Sequence, residues 1–173
     1  MSRELPKEQK EKPVMDEIEA WIRQLQNAQS EDARADAAEE LGEFGGAPAR
    51  AALTEALSDP AEAVQVSAAL ALGELRATSA AAALQAFLSD PQPNLRGAAA
   101  VALGQIGEPN TALLLLPLEH DPSPAVRGAA AWALGTLADP AAHEALTRLQ
   151  SDPDIDVAEA AQEGLVRLRK SLR

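Results

Sequence analysis

The dipeptide Asp-Pro recurs at Asp59-Pro60, Asp90-Pro91, Asp121-Pro122 and Asp152-Pro153, each step being 31 residues without an insertion. A second landmark keeps the same step: Ala71-Leu72-Gly73, Ala102-Leu103-Gly104 and Ala133-Leu134-Gly135, with Glu40-Leu41-Gly42 one period earlier and Gly164-Leu165-Val166 one later. A fixed period of this length implies one supersecondary unit stacked on copies of itself, because a unit so short cannot bury its apolar face alone. Five periods fit the chain, at about 15–45, 46–76, 77–107, 108–138 and 139–169, followed by a short basic tail. Residues 1–14 alternate charges and read as a disordered tail outside the repeats.

Inside each unit the apolar spacing is helical. Val64, Ala68, Ala71, Leu72 and Leu75 stand at i, i+4, i+7, i+8 and i+11. A shorter helix precedes this one, with the column Ile22, Leu53, Leu84, Leu115 and Leu146, followed three residues on by Leu25, Ala56, Phe87, Leu118 and Leu149. Composition agrees with helices throughout: 39 residues are alanine, against two Phe, two Trp and no Tyr, a poor inventory for a sheet. The expected fold is therefore all-α, a right-handed α-solenoid of five helix hairpins.

Local signals place the turns. The Asp of each Asp-Pro is expected to cap the second helix, with the proline in its first turn. Gly45 and Gly107 are placed to end second helices in the left-handed conformation. The Ala-Leu-Gly glycine lies inside the helix, where it costs about 1 kcal/mol against alanine, so close approach of neighbouring helices is its expected purpose. Pro117 interrupts the apolar run Leu113–Leu118 and predicts a kink, with Leu113, Leu114 and Leu116 filling the junction.

The segments Asp90-Pro91…Leu95-Arg96-Gly97-Ala98-Ala99-Ala100-Val101-Ala102-Leu103-Gly104 and Asp121-Pro122…Val126-Arg127, with a similar continuation, resemble HEAT repeats of the phycobilisome-lyase HEAT-like type. The resemblance covers about nine-tenths of the chain and implies the solenoid fold. It also implies an Asp-Arg ladder, using Asp90 with Arg96 and Asp121 with Arg127, interrupted where Ala28 replaces Asp and where Gln65 and Ala158 replace Arg. Functions carried by such repeats range from scaffolds, chaperones and bilin lyases to a di-iron hydroxylase and a DNA glycosylase group, so the fold alone selects none.

Several chemistries are disfavoured by the residues themselves. Without cysteine there is no disulfide, thiolate metal site or cysteine nucleophile. His120 and His143, 23 residues apart, lack matching partners, so no metal and no other cofactor is expected. No phosphate loop or nucleophile elbow occurs, and no catalytic residue is assigned. Net charge is −12, and residues from 15 onward hold 24 acids against 11 bases, which disfavours nucleic acid as a partner. No apolar run approaches the roughly 18 residues of a membrane span, so a cytoplasmic protein without membrane contact is expected. Charge is also unequal along the chain: residues 15–45 carry nine acids against Arg23 and Arg34, while the last ten residues hold four bases and no acid.

The positions that vary inside the fixed frame define a candidate groove. On the second helices the columns Asp32/Ala63/Asn94/Ala125/Asp156, Ala35/Val66/Gly97/Gly128/Glu159, Glu39/Leu70/Val101/Trp132/Glu163 and Glu43/Glu74/Gln105/Thr136/Arg167 should face the inner surface of the stack. Val66, Leu70, Val101 and Trp132 make an apolar centre, Gly97 and Gly128 leave room beside them, and Glu39, Glu43, Glu74, Glu159 and Glu163 guard the ends. Either these large side chains line a binding groove or they tuck between neighbouring helices as extra core. The expected function is a non-enzymatic adaptor, scaffold or chaperone that binds a helix or extended segment of another protein with basic flanks. The alternative is a bilin lyase or lyase subunit, for which the absence of Tyr and of any groove base except Arg167 leaves little to hold a tetrapyrrole. Polar Glu39, Glu40, Gln162 and Glu163 in the end repeats read as caps of a monomer, with weak head-to-tail self-association as the remaining contact.

Overall fold

The computed structural model describes residues 15–171, so the charged tail 1–14 and the end of the basic tail, 172–173, lie outside the described residues. Among the described residues there are ten α-helices and no strand. The first helices of the hairpins are α1 (Met15–Asn27), α3 (Gly46–Ala56), α5 (Ala81–Phe87), α7 (Thr111–Leu115) and α9 (His143–Leu149). The second are α2 (Glu31–Phe44), α4 (Glu62–Glu74), α6 (Pro93–Ile106), α8 (Pro124–Leu137) and α10 (Ile155–Ser171). The result is an all-α solenoid of five hairpins. None of the described helices is long and apolar enough to cross a membrane.

The core lies between the two helix layers. Leu53, Leu84, Leu115 and Leu146 of the first helices are fully buried against Leu41, Leu72, Leu103 and Leu134 of the second, one pair per step of the repeat. Alanine and glycine fill the positions where one second helix meets the next, because these helices stand too close there for anything larger. A Cβ on Gly42 would stand 2.8 Å from the Ala71 Cβ, one on Gly73 2.6 Å from the Ala102 Cα, and one on Gly104 2.7 Å from the Ala133 Cβ; Gly135 meets Gly164 backbone to backbone. Glycine in this column thus trades helix propensity for interhelical contact. The close contacts lie in the C-terminal turns of the second helices, which form one continuous layer.

The second-helix entrances differ from expectation. The Asp of Asp-Pro is not the N-cap residue: α4, α6 and α8 begin after Ala61, Gln92 and Ser123, two residues beyond it. Its carboxylate instead accepts the backbone N–H two residues on, at 2.9 Å for Asp59 and Ala61 and 2.8 Å for Asp90 and Gln92, which folds the approach to the helix into an Asx turn. The first-turn prolines are Pro93 and Pro124 rather than Pro91 and Pro122. At the exits, Gly45 and Gly107 take positive φ, at 73° and 70°, but only Gly107 is in the expected left-handed helical region; Gly45, with ψ −160°, is in an extended conformation that glycine alone readily adopts. Arg76 and Ala138, in the same column, also take positive φ, at 48° and 50°. The period imposes the left-handed turn even where glycine is missing.

The ladder exists, but it crosses repeats. Arg96 does not pair with the Asp90 carboxylate; its Nε and Nη2 donate to Asp121, 25 residues on, at 2.7 and 2.8 Å, while Nη1 donates to the Asp90 backbone carbonyl at 2.8 Å. Arg127 likewise bridges Asp152 rather than Asp121. Arg34 bridges Asp59, so Ala28 interrupts nothing: only its carbonyl is needed, and it accepts from Arg34 at 3.0 Å. The hydrogen bonds from arginine, followed by the backbone N–H of Ala61, Ser123 and Asp154, hold the Asp59, Asp121 and Asp152 carboxyls below the ordinary carboxylate range despite opposing burial. The unfolded chain, with ordinary values near 4, therefore takes up protons first as pH falls. This contribution is fully present above about pH 4 and is lost as pH drops through the depressed values. Urea midpoints are expected to hold level from pH 7 to about pH 5 and to fall below about pH 4, and Asp121→Asn should flatten that fall.

Pro117 acts differently from a kink. It ends α7 at Leu115 and turns Leu116–His120 into a 3-10 segment. Leu116 is half-buried against the core, but Leu113 and Leu114 are 54% and 43% exposed and do not fill the junction. Leu113 stands in the column of Ala20, Ala51, Ala82 and Glu144, which is exposed in every repeat.

Candidate protein-binding groove

The groove columns lie on one helix layer by construction of the repeat, and the structure shows how deep each side chain sits. Val66, Leu70 and Trp132 are half-buried and packed against the core, and Val101 is half-buried between them. Neither simple expectation describes them. Each rests one side on the core and leaves the other open at the surface of the second-helix layer, because the Ala-rich helix contacts beneath have no room for a whole aromatic or branched side chain.

Gly97 and Gly128 contrast with the Ala-Leu-Gly glycines on the same helices. A Cβ on Gly97 would meet nothing nearer than the Ala129 Cβ at 3.9 Å, and one on Gly128 nothing nearer than the Val157 Cγ2 at 3.8 Å. Packing does not require glycine at either place. The helix loses about 1 kcal/mol at each, and what it gains is open floor beside Val101 and Trp132.

The acids divide into two groups. Glu39, Glu43 and Glu74 are exposed around a cleft of about 260 Å³ between α2 and α4, floored by Leu70 and Ala71. There the Ser67 hydroxyl donates 3.0 Å to Glu39 and fixes that carboxylate against the cleft wall. At the other end Glu159 and Glu163 are exposed on α10, where Arg167 lies 3.4 Å from Glu163 and donates to Thr136 at 3.3 Å. One end of the groove is thus predominantly acidic, and the other is mixed. Gln105, between them, has its Oε1 buried without a hydrogen-bond partner, pressed against Gly73.

Sequence reasoning placed Ala125, Gly128 and Asp156 on the groove face but missed the column of Ala160 beside them. A cleft of about 500 Å³ opens between the starts of α8 and α10, lined by Pro124, Ala125, Gly128, Asp154, Val157 and Ala160 among others. Its signal was present in the neighbouring column Asp36/Ser67/Ala98/Ala129/Ala160, whose small residues continue the open floor from Gly128. Among the described residues no three His, Asp or Glu side chains converge in a metal-binding arrangement. His120 is 76% exposed beside Glu119 and lies outside the groove.

A profile of the family described as HEAT repeats matches residues 18–92 and 81–166. No curated protein matches the sequence. Among solved structures, the complex of CpcE and CpcF of phycocyanin lyase from Nostoc sp. PCC7120 is similar with a TM-score of 0.77 and 25% identity, over 98% of this chain and 70% of that one. A designed armadillo repeat protein in complex with the peptide (KR)4 gives 0.66 at 21% identity, over 88% and 82%. Human deoxyhypusine hydroxylase gives 0.53 at 18% identity, over 90% and 96%, and shares the fold.

Proposed function

The chain belongs to the HEAT-repeat family, and we propose that it is a non-enzymatic member that binds a segment of another protein along the surface of its second-helix layer. The observation that carries this reading is the pair Gly97 and Gly128: helix-interior glycines where a Cβ would fit in ordinary contact, so that packing does not demand glycine, each one turn from half-buried Val101 and Trp132. A surface that gives up helix stability to stay open beside an apolar strip is shaped for an occupant. The acidic cleft at Glu39, Glu43 and Glu74 favours lysine or arginine on the segment's flank. Photo-crosslinking tests the reading. Benzoylphenylalanine at exposed Thr136, on the second-helix layer, should capture a partner in the native host, and the same residue at exposed Thr147 on α9 should not. Equal capture from both faces would remove the groove from the account.

A second reading is that the chain is one subunit of a phycobiliprotein lyase or a chaperone of phycobiliproteins. It is favoured by the match over 98% of this chain to a phycocyanin lyase complex of two different proteins. In that reading the crosslinked partner would be a second lyase subunit or a phycobiliprotein. We read self-association differently. A second copy stacked head to tail in the internal register would set Val166 in the column of Gly42, Gly73, Gly104 and Gly135, opposite Glu40 in the column of Ala71, Ala102 and Ala133. Contacts of about 2.7 Å from a glycine Cβ leave no space for either side chain, which supports a monomer.

A further inference from the structure

Three of the four junctions between successive repeats carry the same clasp: Arg34 with Asp59, Arg96 with Asp121 and Arg127 with Asp152, each a two-pronged guanidinium–carboxylate bridge with both side chains no more than 14% exposed. The junction between α4 and α6 has none. Gln65 stands in the arginine column, and its Nε2 donates 3.2 Å to the Leu57 carbonyl inside its own repeat. Among the described residues no guanidinium hydrogen-bonds to the Asp90 carboxylate, which accepts the Gln92 N–H of its own turn. What crosses this edge instead is uncharged on one side: Glu62 accepts an exposed hydrogen bond of 3.0 Å from Asn94 Nδ2 and one of 3.1 Å from the side-chain amide nitrogen of exposed Gln92, with no guanidinium between them. The C-terminal turns of the two helices remain pinned, since a Cβ on Gly73, next to last in α4, would stand 2.6 Å from the Ala102 Cα. A bidentate bridge fixes the angle between two helices as well as their distance, whereas a small-residue contact fixes only distance.

We propose that the α4/α6 junction is the compliant joint of the solenoid. Repeats one and two form one stiff block, repeats three to five another, and the blocks pivot about the Gly73–Ala102 contact. Val66 and Leu70 ride on the first block, and Val101 and Trp132 on the second. The pivot therefore changes the spacing between the two halves of the apolar strip, whatever the strip binds.

Exposed Ala20, Ala82 and Glu144 occupy one column in the first, third and fifth repeats, and the chain has no native cysteine to remove before labelling. Spin labels on Ala20→Cys with Ala82→Cys span a clasped junction and the unclasped one. Labels on Ala82→Cys with Glu144→Cys span two clasped junctions. Pulsed electron–electron resonance should give a distance distribution about twice as broad for the first pair. Gln65→Arg should narrow it to the width of the second, and Arg96→Gln should broaden the second. Equal widths in the parent protein would overturn the joint. So would a Gln65→Arg variant, folded by circular dichroism, that leaves the first distribution unchanged, or an Arg96→Gln variant that leaves the second unchanged.

Discussion

Gly104→Val is expected to lower the melting temperature by roughly 10 °C, while Gly97→Ala, seven residues earlier on the same helix, should raise it by about 2–4 °C. At Gly104 the first added carbon already falls 2.7 Å from the Ala133 Cβ and 2.9 Å from the Ala133 Cα. The Cα cannot yield by rotating a side chain, so α6 and α8 must separate along their closest line. Overpacking typically costs 1–3 kcal/mol, and contact with backbone on both sides puts this case at about 3 kcal/mol or above. At Gly97 the added methyl meets only Ala129 at 3.9 Å, an ordinary contact, and the helix recovers about 1 kcal/mol of propensity. Thermal denaturation of the two variants measures both shifts. The opposite signs matter for function as well: if Gly97→Ala stabilises the fold and weakens partner binding, the glycine is there for the occupant. Loss of stability on Gly97→Ala would show that the open floor has a packing role.

Trp132→Ala is expected to weaken partner binding at least tenfold, as truncation of an aromatic anchor typically costs about 2 kcal/mol or more. Burial sets the competing effect. A fully buried Trp would cost about 3–5 kcal/mol of folding stability. Trp132 is half-buried, with its inner side on the core and its outer side on the groove, so about 1–2 kcal/mol and a few degrees of melting temperature are expected. Trp21, half-buried on α1 in the other helix layer, is the second tryptophan of the chain. In a Trp21→Phe background the remaining emission reports Trp132 alone and should shift to the blue when a partner covers the ring. A large melting shift with unchanged binding would assign Trp132 to the core and end its part in the groove.

Arginine pairing shows where periodicity stops being informative. Matching Asp90 to Arg96 within one repeat was the natural reading of two landmarks six residues apart, yet the side chain reaches Asp121 in the next repeat. An offset between hairpins decides which carboxylate lies within 3 Å, and that offset follows from how closely the second helices approach. The same offset makes Gln65, rather than Ala28, the break in the ladder.

The 31-residue step, read from Asp-Pro and Ala-Leu-Gly, determined the helices, the number of hairpins and the layer to which each apolar column belongs. These follow from local spacing because every unit repeats its neighbour's environment. It also identified the close-approach glycines, since glycine inside a helix otherwise has no reason to recur. Depth was not legible. That Trp132 is half covered and that Arg76 and Ala138 take positive φ without glycine depend on the volume and position of residues a whole repeat away. Periodic sequence fixes direction around a helix, whereas exposure and strain are set by what the adjacent hairpin brings to the same place.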